Sequence, residues 1–418
     1  MLTLLHTSDW HLGRRLYGKP RYEEFSQFLE WQLTVVREHA VDVLVIAGDI
    51  FDTSTPSNQA QSLYYHFLHE ISQTTCQHVV IVAGNHDSPN FLDAPKQLLK
   101  GFNIHIIGSI GDNVADELID LNDANGAPSM LVAAVPYLRD RDVRSVSSGE
   151  HIDDKENKLI SGIQAHYANI TTLAKAKQAE LEQTWHKKIP LIATGHLFAA
   201  GGQTVEGDGV RELYVGSLAQ VRGEMFDTGF DYVALGHLHV PQAVGGHAHI
   251  RYSGSPIPLS FSEASQSKEV LLVDFSAEGL TAITPLSVPC FQPLRRVQGS
   301  LATLPAALQA ACEQATADLP VWLEVTVEED DTLHDLNSRL QPLLLDVPAV
   351  MLRLRRARPQ AALALSLSTA ATLEELDPFE VFAKRLALES DTLSDASRQQ
   401  LIAHFKQVVD DVHAEPSA

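Results

Sequence analysis

Asp9-Trp10-His11, Gly48-Asp49-Ile50-Phe51-Asp52, Gly84-Asn85-His86-Asp87, Gly195-His196 and Gly236-His237-Leu238-His239 gather imidazole, carboxylate and carboxamide groups with glycine. Each cluster follows an apolar, β-branched run of strand length, so each reads as a turn at the carboxyl end of a strand. Glycine there lets backbone approach a metal ion or phosphate where a Cβ would clash. Taken singly, these are ordinary turns. Asn, Gly and Asp favour left-handed positions, and His237 and His239, two apart, could share a solvated strand face. Taken together, they place Asp, His, Asn and Gly on successive strand ends, which unrelated turns have no reason to do. Imidazole and oxygen donors without thiolate suit Mn²⁺, Fe²⁺ or Zn²⁺ and not a Ca²⁺ cage. Two such ions, about 3.5–4 Å apart, need a bridging carboxylate, and they clamp the attacking and leaving oxygens of an in-line displacement. Asp49 is the natural bridge.

The elements that must position these clusters alternate along the chain. Leu2 to Leu5, Val43 to Ala47, Val79 to Ala83, Leu131 to Val135, Leu191 to Ala193 and Tyr232 to Leu235 read as strands. Between the first three lie two helices. Glu23 to His39 buries Phe25, Phe28, Leu29 and Val36, and Ser57 to Ser72 buries Leu63, Phe67 and Ile71. This alternation predicts an α/β layer fold with partly parallel strands, whose ligands sit beyond the strands' carboxyl ends. A second block repeats it on a smaller scale: strand Arg296 to Gly299, helix Leu304 to Thr316, strand Val321 to Val327, helix Leu333 to Leu345 and strand Val350 to Leu354. Pro359 to Thr372, poor in charge and rich in Ala, Ser and Leu, reads as a linker. Beyond it, Phe379 to Leu388 and Ser397 to Val412 carry the stripes Phe379/Phe382/Leu386 and Leu401/Phe405/Val408/Val412, two amphipathic helices. No internal repeat is apparent.

With 418 residues, 44% apolar and 20% charged, the chain is long enough for two or three cored domains and is not of disordered composition. Its net charge of −22 argues against a protein that coats nucleic acid by bulk charge, so a polyanionic substrate needs a local device. Cys76, Cys290 and Cys312 are far apart, which fits a reducing compartment and offers no zinc site. Asp9 and His11 interrupt any amino-terminal signal, and no apolar run approaches a membrane span, so the expectation is a cytoplasmic protein.

The order D-x-H, G-D-x-F-D, G-N-H-D, G-H, G-H-x-H resembles the calcineurin-like binuclear metallophosphoesterases. The fuller wording His6-Thr7-Ser8-Asp9-Trp10-His11-Leu12-Gly13, with Tyr252-Ser253-Gly254-Ser255-Pro256-Ile257-Pro258-Leu259-Ser260-Phe261, is similar to the bacterial DNA-repair nucleases of that superfamily, over nearly the whole chain. The resemblance implies an α/β metallophosphoesterase sandwich with a small α+β capping domain and a helix pair. The nuclease domain would span 1–285, the DNA-capping domain 286–358, the linker 359–372 and the partner-binding segment 373–418. It implies that Asp9, His11, Asp49 and His239 hold one metal and Asp49, Asn85, His196 and His237 the other. Two Mn²⁺ ions per chain would occupy them, other divalent metals being alternatives. His86 would serve the scissile phosphate and leaving group as general acid or electrostatic stabiliser, with Asp87 as its orienter. Some relatives carry a second histidine where Asp52 stands here, so that role does not carry over.

Basic residues gather near these motifs: Arg14, Arg15, Lys19 and Arg21 after the first, Arg139, Arg141 and Arg144 after Pro136, and Arg353, Arg355, Arg356 and Arg358 further on. The first set is expected to touch DNA phosphates. The second could equally pair with Asp140 and Asp142. His6, His105 and His166 lie outside the motifs and read as structural, and Trp10 as packing beneath the site. No G-x-x-x-x-G-K-[ST] occurs, so ATP gating would need another polypeptide. The resemblance supplies one, an SbcC-like coiled-coil ATPase docked on the terminal helices in a heterotetramer, with a homodimer formed through the nuclease domain. The expected function is a Mn-dependent DNA nuclease, a double-strand 3′–5′ exonuclease and single-strand or hairpin endonuclease. It would act in repair, recombination and replication, nucleoid-associated when bound to DNA. The alternatives are a phosphomonoesterase or cyclic-nucleotide phosphodiesterase on the same scaffold, and a non-catalytic scaffold.

Overall fold

In the computed structural model, which describes residues 1–143, 152–200, 221–222, 226, 229–313, 315–328, 333–357, 382, 401–402 and 404–405, the apolar runs line up as two six-stranded sheets. Numbered along the chain, β1 (Leu2–Thr7), β2 (Val43–Ala47), β3 (His78–Val82) and β4 (Ile104–Ile107) lie in the first sheet. In the second lie β5 (Leu118–Asn122), β6 (Pro128–Ala133), β7 (Leu191–His196), β8 (Tyr232–Gly236), β9 (Gln242–Val244) and β10 (His247–Tyr252). β11 (Glu269–Ser276) and β12 (Gly279–Ser287) return to the first. The orders are β12-β11-β1-β2-β3-β4 and β9-β10-β8-β7-β6-β5. β1 to β4 run parallel, as do β10, β8, β7 and β6, with antiparallel strands at the edges.

Side-chain alternation explains the layering. Leu5, Leu44, Ile46 and Ile81 point outward onto α1 (Tyr22–Glu38) and α2 (Asn58–Ile71), meeting Phe25, Phe28, Val36 and Phe67. Leu4, Val43, Val45, Val80 and Val82 point inward and meet Met130, Val132, Ile192, Tyr232 and Ala234 of the second sheet. That sheet's far face, with Leu131, Ala133, Leu191 and Val233, is covered by α3 (Ile152–Trp185) through Ile163, Tyr167, Ile170 and Ala174. The product is a four-layer α/β/β/α sandwich. Parallel strands buried on both faces are apolar along nearly their whole length, which is why β2, and β3 after His78, stand out as unbroken runs. α2 begins at Ser57, whose Oγ accepts from Ala60 N at 3.2 Å.

A third sheet, β13 (Leu294–Gly299), β14 (Val321–Val327) and β15 (Ala349–Arg356), is parallel with β14 central. Its crossovers are α4 (Leu304–Ala311) and α5 (Leu333–Leu344), and it has its own core of Val297, Leu304, Leu308, Leu323, Val325, Leu336 and Leu340. Leu16, Phe261, Leu294 and Trp322 join it to the sandwich. Met1–Ala357 is one unit and Arg358–Ala418 another. The linker at 359–372 lies outside the described residues. So do the two terminal helices apart from Phe382, Leu401, Ile402, His404 and Phe405. The Phe382 and Phe405 rings stack at 4.0 Å. Among the described residues no helix is long and apolar enough to cross a membrane.

Candidate metal centre

All five sequence clusters converge at one end of the sandwich, beyond β1, β2, β3, β7 and β8. The loop after β1 is laced to the loop after β2 by main-chain bonds: Asp9 N to Gly48 O (3.0 Å), His11 N to Asp49 O (2.9 Å) and Leu12 N to Ile50 O (2.9 Å). Asp9, His11, Asp49 and His237 all adopt left-handed backbone, with φ of 53°, 48°, 51° and 98°. Such conformations cost roughly 1–3 kcal/mol each and persist where the surroundings enforce them, characteristically at functional sites. Close approach explains two glycines. A Cβ on Gly84 would strike the Asp49 carboxylate, and one on Gly236 would strike Ala47 O and crowd the His196 ring.

The donors face one another. Asp49 Oδ2 lies 3.2 Å from His196 Nε2 and 3.5 Å from His11 Nε2, while Oδ1 accepts from His86 N at 2.9 Å. Asn85 Oδ1 is 3.0 Å from both His196 Nε2 and His237 Nδ1. Asp9 accepts from His237 N at 2.9 Å and from Ser8 Oγ at 2.6 Å. His196 Nδ1 donates to Ala47 O at 3.0 Å, which turns Nε2 toward Asp49. The ring centroids of His11 and His239 are 5.2 Å apart, as are those of His196 and His237. Three triads bring their ligand atoms within 4.8 Å of one another: Asp9/His11/His239, Asp9/Asp49/His196 and His11/Asp52/His86.

These residues fit divalent metal on a structural criterion. His11 is 1% exposed, yet its Nε2, which faces Asp49 Oδ2 at 3.5 Å, makes no hydrogen bond. A buried polar atom left so costs about 1–3 kcal/mol. A cation held between the imidazoles and the carboxylates would remove that penalty, and the N/O donor set suits Mn²⁺, Fe²⁺ or Zn²⁺.

Electrostatics agree with the geometry. Burial opposes charge on Asp49, but His196 and His11 hold its carboxyl well below the usual range. Burial likewise opposes charge on His196, and Asp49 overrides it, raising the imidazole to about 9. Burial pushes His237 down to about 3, with the neighbouring His196 charge adding to it. A metal held by His196 would have to displace that proton, so its affinity would rise with pH.

Two expectations are corrected. Asp87 does not orient His86: its carboxylate accepts from Ile50 N (3.1 Å), Phe51 N (2.9 Å) and Gly84 N (2.9 Å), pinning the Asp49 loop instead. Burial and then the Asp49 charge raise it to about 6. His86 Nδ1 donates to Asp52 O at 2.8 Å, so Asp52 does the orienting. Arg21 is no DNA contact. It is 2% exposed, donates through Nε and Nη2 to Glu24 at 2.7 and 2.8 Å, and through Nη1 to Pro258 O at 2.7 Å.

The other basic residues differ in availability. Arg14 pairs with Asp52 at 2.9 Å, Arg15 is exposed and bonds Gly18 O, and exposed Lys19 lies 5.9 Å above the Trp322 ring. Arg139 Nη2 donates to Asp87 O at 3.2 Å, beside His86. Arg141 pairs with Asp142 at 3.4 Å, and Arg144 and Arg358 lie outside the described residues. Trp10 is wholly buried with Nε1 on Thr7 Oγ1, and His6, His105 and His166 engage Tyr232, His78 and Glu117.

Sequence reasoning missed a support beneath His239. Glu263 Oε1 stands 3.4 Å from His239 Nδ1, and buried Lys268 bonds Glu263 Oε2, Ser255 Oγ and His239 O. Burial opposes charge on Glu263, yet Lys268 holds its carboxyl far below the usual range. The only signal was a Glu and a Lys trailing the Ser-Gly-Ser-Pro segment.

Two facing mixed sheets flanked by helices, with Asp, Asn and His donors at the strand ends, define a calcineurin-like phosphoesterase fold, and residues 2–241 match that family. Residues 290–390 match the type 5 capsule protein repressor C-terminal domain. The chain is 38% identical over 408 residues to SbcD, the D component of the nuclease SbcCD, of Escherichia coli strain K12, covering 97% of this chain and 96% of that protein. Identity to the SbcD of Rhodobacter capsulatus is 32%, covering 86% and 89%, and to that of Bacillus subtilis 34%, covering 65% and 66%. The chain belongs to the SbcD family of nucleases within the calcineurin-like phosphoesterases.

Proposed function

We propose that this chain is a divalent-metal-dependent DNA phosphodiesterase, the nuclease component of a complex with an SbcC-like coiled-coil ATPase. One observation carries the reading: donors from two sheets converge on Asp49, with His11 among them buried and unsatisfied. Asp9, His11, Asp49 and His239 hold one ion, and Asp49, Asn85, His196 and His237 the other, with Mn²⁺ as the metal. When bound, the ions supply Lewis acidity and bring the pKa of water toward neutrality.

The chain's own residues do the rest. His196 and Asp9 are held in ligating orientation by Ala47 O and Ser8. His86, its Nδ1 proton committed to Asp52 O, presents Nε2 to the scissile phosphate or leaving oxygen. Arg14, Arg15, Lys19 and Arg139 contact phosphates and supply locally the positive charge that the chain lacks in total. The domain boundaries at 285 and 358, docking of the ATPase on the terminal helix stripes, a homodimer through the nuclease domain within a heterotetramer, and a cytoplasmic, nucleoid-associated role in repair, recombination and replication belong to the same reading.

The test is nuclease activity on duplex, hairpin and single-stranded DNA in Mn²⁺ or Mg²⁺, with and without the ATPase. Duplex ends degraded 3′–5′ and hairpins opened are expected, with both activities lost in Asp49→Asn and His86→Gln. Full activity in both variants would sink the mechanism.

A further inference from the structure

Asp52 lies outside both sets of candidate ligands, yet it contacts three residues of the site. Its side chain is 21% exposed at the mouth of the site. Its Oδ1 is 3.3 Å from His11 Nδ1 and 2.9 Å from Arg14 Nη1, and its main-chain oxygen accepts from His86 Nδ1 at 2.8 Å. His11 Nε2, on the opposite side of the ring, faces Asp49 at 3.5 Å. The rings of His11 and His86 lie edge to face at 4.7 Å. One residue therefore touches a candidate metal ligand with its side chain and the candidate catalytic histidine with its backbone, and is itself anchored by an arginine.

We propose that Asp52 is a positioning residue: its carboxylate, braced by Arg14, fixes the His11 ring with Nδ1 toward Asp52 and Nε2 toward the metal, and its main chain sets His86 from the same point. The inference rests on the metal-centre reading above. A rival use of the same atoms is a third cation held by His11, Asp52 and His86, whose ligand atoms also cluster. The geometry favours positioning, because the Arg14 guanidinium already pairs with the Asp52 carboxylate at 2.9 Å and brings to it a positive charge that would repel a third cation. A carboxylate behind a metal-bound imidazole typically accounts for 10–100-fold in metal affinity.

The experiment is calorimetric titration of the full-length, metal-stripped chain with Mn²⁺, alongside its melting temperature. The parent should bind two ions. Asp52→Ala should weaken one of the two by about 10–100-fold while melting with the parent in the metal-free state, and Asp52→Asn, which keeps a neutral acceptor, should recover most of the loss. Unchanged affinity in Asp52→Ala overturns the inference and leaves the metal centre standing. A third ion in the parent that Asp52→Ala removes overturns it in favour of the rival. A parent that binds no ion overturns the metal centre and this inference together.

Discussion

Asp49 in the strand-end loops and Glu324 in the middle of β14 are both buried carboxylates, 2% and 3% exposed, and both are ringed by nitrogen. Around Glu324 the nitrogens are guanidinium groups on the flanking strands: Arg296 and Arg353 at 3.1 Å and Arg355 at 3.9 Å. Around Asp49 they are imidazoles, His196 at 3.2 Å and His11, on left-handed backbone, at 3.5 Å. Guanidinium is a permanent donor with no lone pair to offer, so the cluster around Glu324 can only staple the third sheet. An imidazole can shed its proton and offer a lone pair, so the Asp49 cluster can exchange protons for a cation. Burial of a carboxylate is common to both. What separates a staple from a socket is whether its partners can become ligands.

The widest gap between the two should open on neutralising each carboxylate. Asp49→Asn should lower phosphodiester hydrolysis by on the order of 10³-fold. It should also abolish the stabilisation that Mn²⁺ gives the parent, about 2.7 kcal/mol at a free concentration one hundred times the dissociation constant. Calorimetric melting with and without Mn²⁺ reads this directly. Glu324→Gln should leave the Mn²⁺ response intact and lower stability instead. Breaking a buried ion pair costs about 3–5 kcal/mol, but these arginine side chains are 57%, 40% and 44% exposed, so solvent screening reduces the expectation to about 1–2 kcal/mol. Urea unfolding measures it, and a lost Mn²⁺ response in this variant would break the distinction between staple and socket.

The smallest effect is a slope in pH. His6, buried between the sheets with Nδ1 2.9 Å from Tyr232 Oη, is pushed by burial from 6.5 down to about 3. Between those values the unfolded chain binds the proton and the folded chain does not. The stability is therefore complete above pH 6.5 and is lost as pH falls, by at most about 1.4 kcal/mol per pH unit for one histidine. Urea unfolding of the metal-free chain at pH 7 and pH 5 should show the loss, and His6→Gln should flatten it by about one proton.

What could be read from the sequence follows from the same physics. β2 appears with the ends read for it because it is buried on both faces and apolar throughout, and β14 does so although Glu324 and Thr326 interrupt its apolar run. The candidate donors stood out because Gly, Asp, Asn and His recur at strand ends. α3 was not legible: among its described residues only Ile163, His166, Tyr167, Ile170 and Ala174 are buried, so the helical period is faint. Arg21 misled because what buries it is remote. Pro258 O, 237 residues away, completes its partners and no local pattern announces that. Asp87 misled through adjacency, since neighbours in sequence on a tight turn point different ways. The supporting roles of Asp52, Glu263 and Lys268 exist only once loops distant in sequence have met.

The donors around Asp49 are divided between the two sheets: Asp9, His11, Asp49 and Asn85 extend the first, and His196, His237 and His239 the second. Contacts such as His196 to Ala47 and His237 to Asp9 close chain separations of 149 and 228 residues. Long closures of this kind form late in folding. Neither half of the sandwich can assemble the cluster alone, so an ion captured there would bridge the seam and register that the two halves have shut. Metal uptake would then serve as a clock for the last act of assembly, and force that pries the sheets apart would spill the ions before it unravels either sheet.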